Sequence, residues 1–141
     1  MIALTDKKID TAAILENMED QTAGGVVLFL GKVRDHNESK KVIKMAYEAY
    51  PEMARAEMQK IEDETKRRWP VKQMTIVHRY GNLKLGDISV AIAVACAHRK
   101  DAFEACRFAI DTLKATVPIW KKEYFENGDA WVEGVIPDTR V

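Results

Sequence analysis

Hydrophobic positions fall into runs whose spacing changes along the chain, and each change marks an element. The longest run, Ile88 to Ala97, is small and β-branched, too short to span a membrane and too long for a turn, and it predicts a buried strand. After His98-Arg99 comes Asp101-Ala-Phe-Glu104, the D-x-x-E form of a helix start in which one side chain caps free amides and the acid reaches back. Phe103, Cys106, Ile110, Leu113 and Val117 then recur every three or four residues, so they share one helical face, and the helix ends near Pro118. Ile119 to Phe125 predicts a second strand. Glu126 to Asp129 contains Asn-Gly, a strong hairpin signal, with Trp131 to Glu133 as the returning strand.

Upstream, Ile2 to Leu4 reads as a short edge strand and Thr11 to Met18 as a short helix with Ala12, Ile14 and Leu15 on its apolar side. Val26 to Leu30 is apolar on both faces and so is expected in the sheet interior; Gly31 to Arg34 carries it to a polar loop, Asp35 to Lys41, expected to be mobile when empty. Val42 to Tyr50 alternates like a half-buried strand. Pro51 suits the first turn of a helix whose inner face is Ala54, Met58, Ile61 and Thr65 and which Trp69-Pro70 stops. Met74 to Tyr80 is another strand, Gly81 to Asp87 a glycine-bracketed connection, and Gly134 to Val141 a loosely held end. Without a strict βαβ alternation and with at least one hairpin, the pattern gives an α+β fold: a mixed or antiparallel sheet with packed helices, in a single domain over residues 1–141.

Composition narrows the function. The 141 residues carry 22 basic and 22 acidic side chains, so nonspecific nucleic-acid binding has no electrostatic basis, although a local cationic cluster is still able to hold a small anion. The amino terminus lacks the apolar core of a signal peptide, so neither export nor membrane anchoring is expected and a cytoplasmic setting fits. Cys96 and Cys106 show no metal spacing and read as buried thiols. No phosphate-binding glycine loop of the ATP or dinucleotide type is present.

The candidate chemistry is cationic. His98-Arg99 stands where a strand meets a helix start, a place where free amides already favour a phosphate or carboxylate, although a surface arginine and a structural histidine would look the same. Lys32 and Arg34 flank another strand end with His36 beside them, a grouping equally typical of a solvated loop. Lys114 shares a helical stripe with Glu104, Arg107 and Asp111, a pattern usual for exposed ion pairs. On the last strand, alternation puts Lys121 and Glu123 on one side and Lys122 on the other. A lysine near other cations loses its proton more easily, which suits acid–base or transient acyl chemistry.

Taken together, Phe29 to Asn37 (FLGKVRDHN), Tyr50-Pro51, Arg68-Trp69-Pro70, Val77 to Gly81 (VHRYG), Gly86-Asp87, Ala97-His98-Arg99, Ala102 to Ala105 (AFEA), Leu113-Lys114, Pro118 to Lys121 (PIWK) and Trp131 to Glu133 (WVE) resemble the MoaE family, the catalytic (large) subunits of molybdopterin synthase. Order and spacing hold from about Gly24 to Glu133. The resemblance implies an α/β hammerhead-like fold and a homodimer within a heterotetramer. A small ubiquitin-like sulfur-carrier subunit would thread its C-terminal Gly-Gly thiocarboxylate into a pocket of each large subunit. The sulfurtransferase reaction delivers sulfur twice to cyclic pyranopterin monophosphate, building the molybdopterin dithiolene with no cofactor, metal or ATP on this subunit.

Carried over by position, the resemblance makes Lys32, Val33 and Arg34 pocket-lining and gives His98 and Arg99 the substrate's anionic group. Lys114 and Lys121 become the catalytic lysines, with Lys122 and Glu123 beside them. These cations are expected to converge on one cleft. Cys96 departs from the serine expected before Ala-His-Arg, and the tail offers only Arg140 as a basic residue, to which no role is carried. Two rivals remain at this level: an adaptor that binds a ubiquitin-like tail without turnover, and an anion-binding enzyme using His98 as general base.

Overall fold

The computed structural model describes residues 1–37, 40–128 and 130–134. Its elements in chain order are β1 (Ile2–Thr5), α1 (Thr11–Glu16), β2 (Gly25–Lys32), β3 (His36–Asn37), β4 (Lys40–Ala49), α2 (Pro51–Arg68), β5 (Val71–Arg79), β6 (Gly81–Leu83), β7 (Ile88–Cys96), α3 (Arg99–Thr116), β8 (Ile119–Phe125) and β9 (Ala130–Gly134). They form two sheets. The first has the order β1-β5-β7-β2, antiparallel except for the parallel β1–β5 pair. The second runs β3-β4-β8-β9, with β6 also paired to β4. This is the α+β, hammerhead-like arrangement expected, with a mixed sheet, an antiparallel one and packed helices.

The central strand explains its own sequence. On β7, Val90, Ile92, Val94 and Cys96 face α2 and α3, where Met58, Ile61, Ala105, Ala109 and Leu113 meet them. The alternate positions, Ala91, Ala93 and Ala95, face the thinner cover of Ile9, Ile14 and Met18. Period-two alternation of large and small apolar residues thus matches a thick layer on one face and a thin one on the other. Ile76 and Ile92 are fully buried, and each such side chain contributes about 1.5–3 kcal/mol relative to exposure. On the outer side of β5, the Met1 ammonium reaches Glu62 of α2 at 2.7 Å and the Met74 carbonyl at 2.7 Å, tying the start of β1 to helix and sheet at once.

Several expectations are corrected. β2 is an edge strand, paired among the described residues with β7 alone, and Val26 is 47% exposed; an apolar pattern on both faces does not distinguish a central strand from an uncovered edge. α3 begins at Arg99 with His98 as its N-cap in extended conformation and no side-chain cap, so the Asp101/Glu104 capping box does not form. Glu104 instead accepts from the Trp69 indole at 3.2 Å, bridging α2 and α3. Gly81 to Leu83 is a strand, not only a connection, and on α1 the buried residue is Ile14 while Leu15 is exposed. Within the Asp35–Lys41 segment, His36–Asn37 pairs with Lys40–Lys41. The expected looseness of the end after Gly134, and Asp129 of the hairpin turn, lie outside the described residues.

Phe103 is the clearest miss. It is 62% exposed, because the buried face of α3 is centred on Ala102, Ala105, Cys106, Ala109 and Leu113, and Phe103 falls at its margin. Phe103→Ala is therefore expected to change unfolding free energy by no more than about 0.5 kcal/mol, against the ~3–5 kcal/mol of a core phenylalanine; urea denaturation of the two proteins measures the difference.

Candidate active site

The C-terminal end of α3 delivers Lys114 to a cleft between the two sheets. Its wall includes Tyr47 of β4, His78 of β5, Ser89 of β7 and Lys121 of β8 over an apolar floor of Val90, Leu113 and Val117, with Gly134 at the rim. The cleft holds about 100 Å³, well below the ~300–1,000 Å³ of a pocket that encloses a small molecule. Gly134 has φ +127°, and a Cβ there would fall 2.6 Å from the Ile119 carbonyl oxygen, so this rim position has room for glycine alone.

Lys121 and Glu123 share a side of β8, as alternation predicts: Lys121 Nζ lies 3.0 Å from Glu123 Oε1, and the Glu123 side chain is almost fully buried. Lys122 faces the other way and stands 5.3 Å from the Tyr124 ring centroid, where Lys44 approaches at 5.2 Å. The Arg107–Asp111 ion pair predicted along the exposed stripe of α3 is present at 3.6 Å.

His78 is the residue the sequence reading left without a task. It is 4% exposed, its ring meets Tyr47 edge-on with centroids 5.3 Å apart, and its Nδ1 lies 2.8 Å from the Arg79 carbonyl oxygen. Burial pulls its pKa down to about 4 against the opposing pull of that carbonyl bond, and the nearby Lys114 charge adds to the lowering. The signal for it was present, since His78 has the same strand parity as the core residues Met74 and Ile76.

The remaining cations divide between two ends of the first sheet. β2 runs antiparallel to β7, so Lys32 pairs with Ile88 near the cleft while Gly25 pairs with Cys96 at the far end. A bulge between Gly31 and Lys32 bends the chain there, and Ser89 Oγ donates to the Gly31 carbonyl at 3.2 Å. Lys32 and Arg34 are thus exposed at the cleft end. Val33 is buried with Met45 and Leu83 under the second sheet and anchors that turn. His98 and Arg99 are exposed at the opposite end; Lys114 comes fifteen positions after Arg99 along α3, roughly 22 Å of helix. One chain therefore does not gather all six cations. Lys114 and Lys121 line one cleft, Lys32 and Arg34 lie at the same end of the sheet, and His98 and Arg99 stand at the opposite end.

Both cysteines are buried and free. Burial raises the Cys106 thiol to about 11 and pushes Cys96 up as well, so neither is poised as a nucleophile. Among the described residues, no three of His, Cys, Asp and Glu are grouped to hold a metal.

The model of the family described as MoaE protein matches residues 4–116. The chain belongs to the MoaE family. A MoaE-family relative from Pyrococcus abyssi, named molybdopterin synthase catalytic subunit, is 43% identical over 129 residues, which cover 92% of this chain and 86% of that one. The crystal structure of molybdopterin synthase from Staphylococcus aureus superposes with a TM-score of 0.87 at 40% identity, covering 93% of this chain and 95% of the other. The MoaE fold extends to a Helicobacter pylori complex of subunits 1 and 2 of molybdopterin-converting factor, with a TM-score of 0.74 at 20% identity over 99% of this chain and 91% of that one.

Proposed function

We propose that the chain is the catalytic subunit of a molybdopterin synthase, moving sulfur from the C-terminal thiocarboxylate of a small ubiquitin-like carrier subunit to cyclic pyranopterin monophosphate. The observation that carries this reading is a narrow slot, about 100 Å³, with Lys114 and Lys121 on its walls, in a chain of this family. A Gly-Gly tail has no side chains and suits such a slot. At its end the two lysines supply what thiocarboxylate chemistry needs: positive charge against the anionic sulfur and oxygen, and N–H groups to give or take protons. Each delivery forms one C–S bond on the pterin in place of a C–O bond there, whose oxygen leaves as water or stays with the phosphate, and breaks the carrier's acyl C–S bond. The acyl carbon passes to water, directly or after a stay on the Lys114 amine. Lys121, held by Glu123, works at the pterin. Lys122 and Val33 contribute beside the site, Lys122 as charge on the outer face of β8 and Val33 by anchoring the Lys32–Arg34 turn.

The split of the cations supports a homodimer. Among the described residues β2 offers an open outer edge, next to an apolar groove lined by Phe29, Phe103 and Ile110. If two β2 strands pair antiparallel about a twofold axis, the Gly25 end of one copy meets the Lys32 end of the other. That brings His98 and Arg99 of the second copy toward Lys32, Arg34 and the cleft of the first, where they hold the substrate's phosphate. Mixed dimers of Arg99→Ala and Lys114→Ala chains are then expected to regain activity that neither variant shows alone, because one of the two sites is intact. Refolding the two together and assaying turnover checks it.

No helix among the described residues is long and apolar enough to cross a membrane; we assign the enzyme to the cytoplasm, as a single domain acting on a soluble pterin. The deciding experiment mixes the chain with thiocarboxylated carrier and cyclic pyranopterin monophosphate and follows the dithiolene product by mass spectrometry. Product that needs both chain and carrier supports the reading. No product from intact components overturns it, and turnover without carrier favours a self-contained anion-binding enzyme.

A further inference from the structure

His78 lines the cleft between Tyr47, Ser89, Lys114 and Lys121, yet the sulfur transfer above gives it no role. Nδ1 lies 2.8 Å from the Arg79 carbonyl oxygen. A carbonyl only accepts, so Nδ1 carries the proton and Nε2 keeps its lone pair. Tyr47 packs against the ring edge-on and fixes its plane. The charged or titratable groups that surround the ring are Tyr47 from β4, Lys114 from α3 and Lys121 from β8, and Lys121 is drawn to Glu123 at 3.0 Å. We infer that His78 is a positioning residue whose Nε2 accepts an N–H from Lys114 and holds that amine toward the acyl end of the carrier.

This rests on the sulfur-transfer reading and deepens it. Burial keeps the ring neutral, with a pKa near 4, so at neutral pH the acceptor is permanent. An imidazole so weakly basic does not take a proton from an ammonium, and His78 therefore acts by direction rather than as a general base. In the amine form of Lys114 that attacks, one N–H is directed to Nε2. The amine lone pair is then turned away from the ring and into the cleft, where the acyl carbon lies.

The test compares His78→Phe, which keeps a ring against Tyr47 but has no acceptor, with His78→Gln, whose Oε1 restores one. With thiocarboxylated carrier and cyclic pyranopterin monophosphate, kcat of His78→Phe is expected to fall about 10- to 100-fold with KM for the pterin within about twofold. His78→Gln is expected to recover most of that loss. Full activity in His78→Phe, or equal loss in both variants with native thermal unfolding, overturns the inference. Should the variants not fold, the ¹⁵N resonance of His78 Nε2 in the folded chain decides. It moves toward that of an unbonded ring nitrogen in Lys114→Met if the contact exists, and stays in place if it does not. A wild-type chain that makes no product sinks the sulfur-transfer reading instead, and the resonance experiment still reads the contact.

Discussion

Lys114→Ala is expected to fold normally and to lose about 10²- to 10⁴-fold in the rate of dithiolene formation, the range for removing a group that moves protons or stabilises charge in a transition state. Lys114 is exposed at the last turn of α3, so its removal opens no cavity and costs the fold little. Lys121→Ala is expected to lose a similar factor but also to lower stability, because the buried Glu123 carboxylate gives up an ammonium 3.0 Å away. Single-turnover assays with preformed thiocarboxylated carrier, alongside urea denaturation, separate the two outcomes. If either alanine variant keeps wild-type turnover, the role given to that lysine is wrong. Lys114→Arg is informative beside them: it keeps the charge but removes the nucleophilic amine, so activity surviving in it rules out a stay of the acyl group on Lys114.

Acid is expected to weaken the fold through one residue more than through any other in the cleft. The unfolded His78 side chain titrates near 6.5 and the folded one near 4. Between those values the unfolded chain binds a proton that the native chain refuses. The neutral-ring contribution is thus fully present above pH 6.5 and is lost as pH falls toward 4, a difference of about 3 kcal/mol over the window. Glu62 adds to acid sensitivity lower down: burial pushes its carboxyl up, but hydrogen bonds from the Met1 ammonium and Lys66 outweigh that and hold it below the ordinary range. Its stabilisation is therefore lost only as pH falls through the lowered value. Denaturation midpoints of the wild type and His78→Phe, measured from pH 8 to pH 4, isolate the histidine. The wild type loses stability steeply across this range, and the variant, lower at pH 8 for want of the Arg79 carbonyl bond, follows a shallower line. Parallel lines would show that the ring binds protons alike in the native and unfolded chain.

These two expectations draw on different kinds of information. The lysines were legible in the sequence. Alternation on β8 set Lys121 and Glu123 on one side and Lys122 on the other, and the ion pair follows from that spacing. The hairpin at Asn127-Gly128 was equally local, with Gly128 at φ +89°, and the buried β7 run, the Pro51 helix start and the inner face of α2 needed only periodicity. His78 was not singled out, although its strand was, because a histidine at an apolar parity position does not reveal what lies across the gap. Its neighbours Tyr47 and Lys114 come from segments 31 and 36 positions away.

Local pattern, then, determined most of the elements, which faces of them are apolar and which residues carry charge, since these depend on neighbours within a turn or a pleat. Tertiary structure alone decided that β2 is an edge among the described residues, that Phe103 faces outward, and that Lys114 and Lys121 line one cleft while His98 and Arg99 stand at the other end of α3. The physical reason is that burial and charge convergence are set by which sheet pairs with which helix and in what register. The order β1-β5-β7-β2 follows from contacts between strands far apart in the chain, which no short window of residues contains.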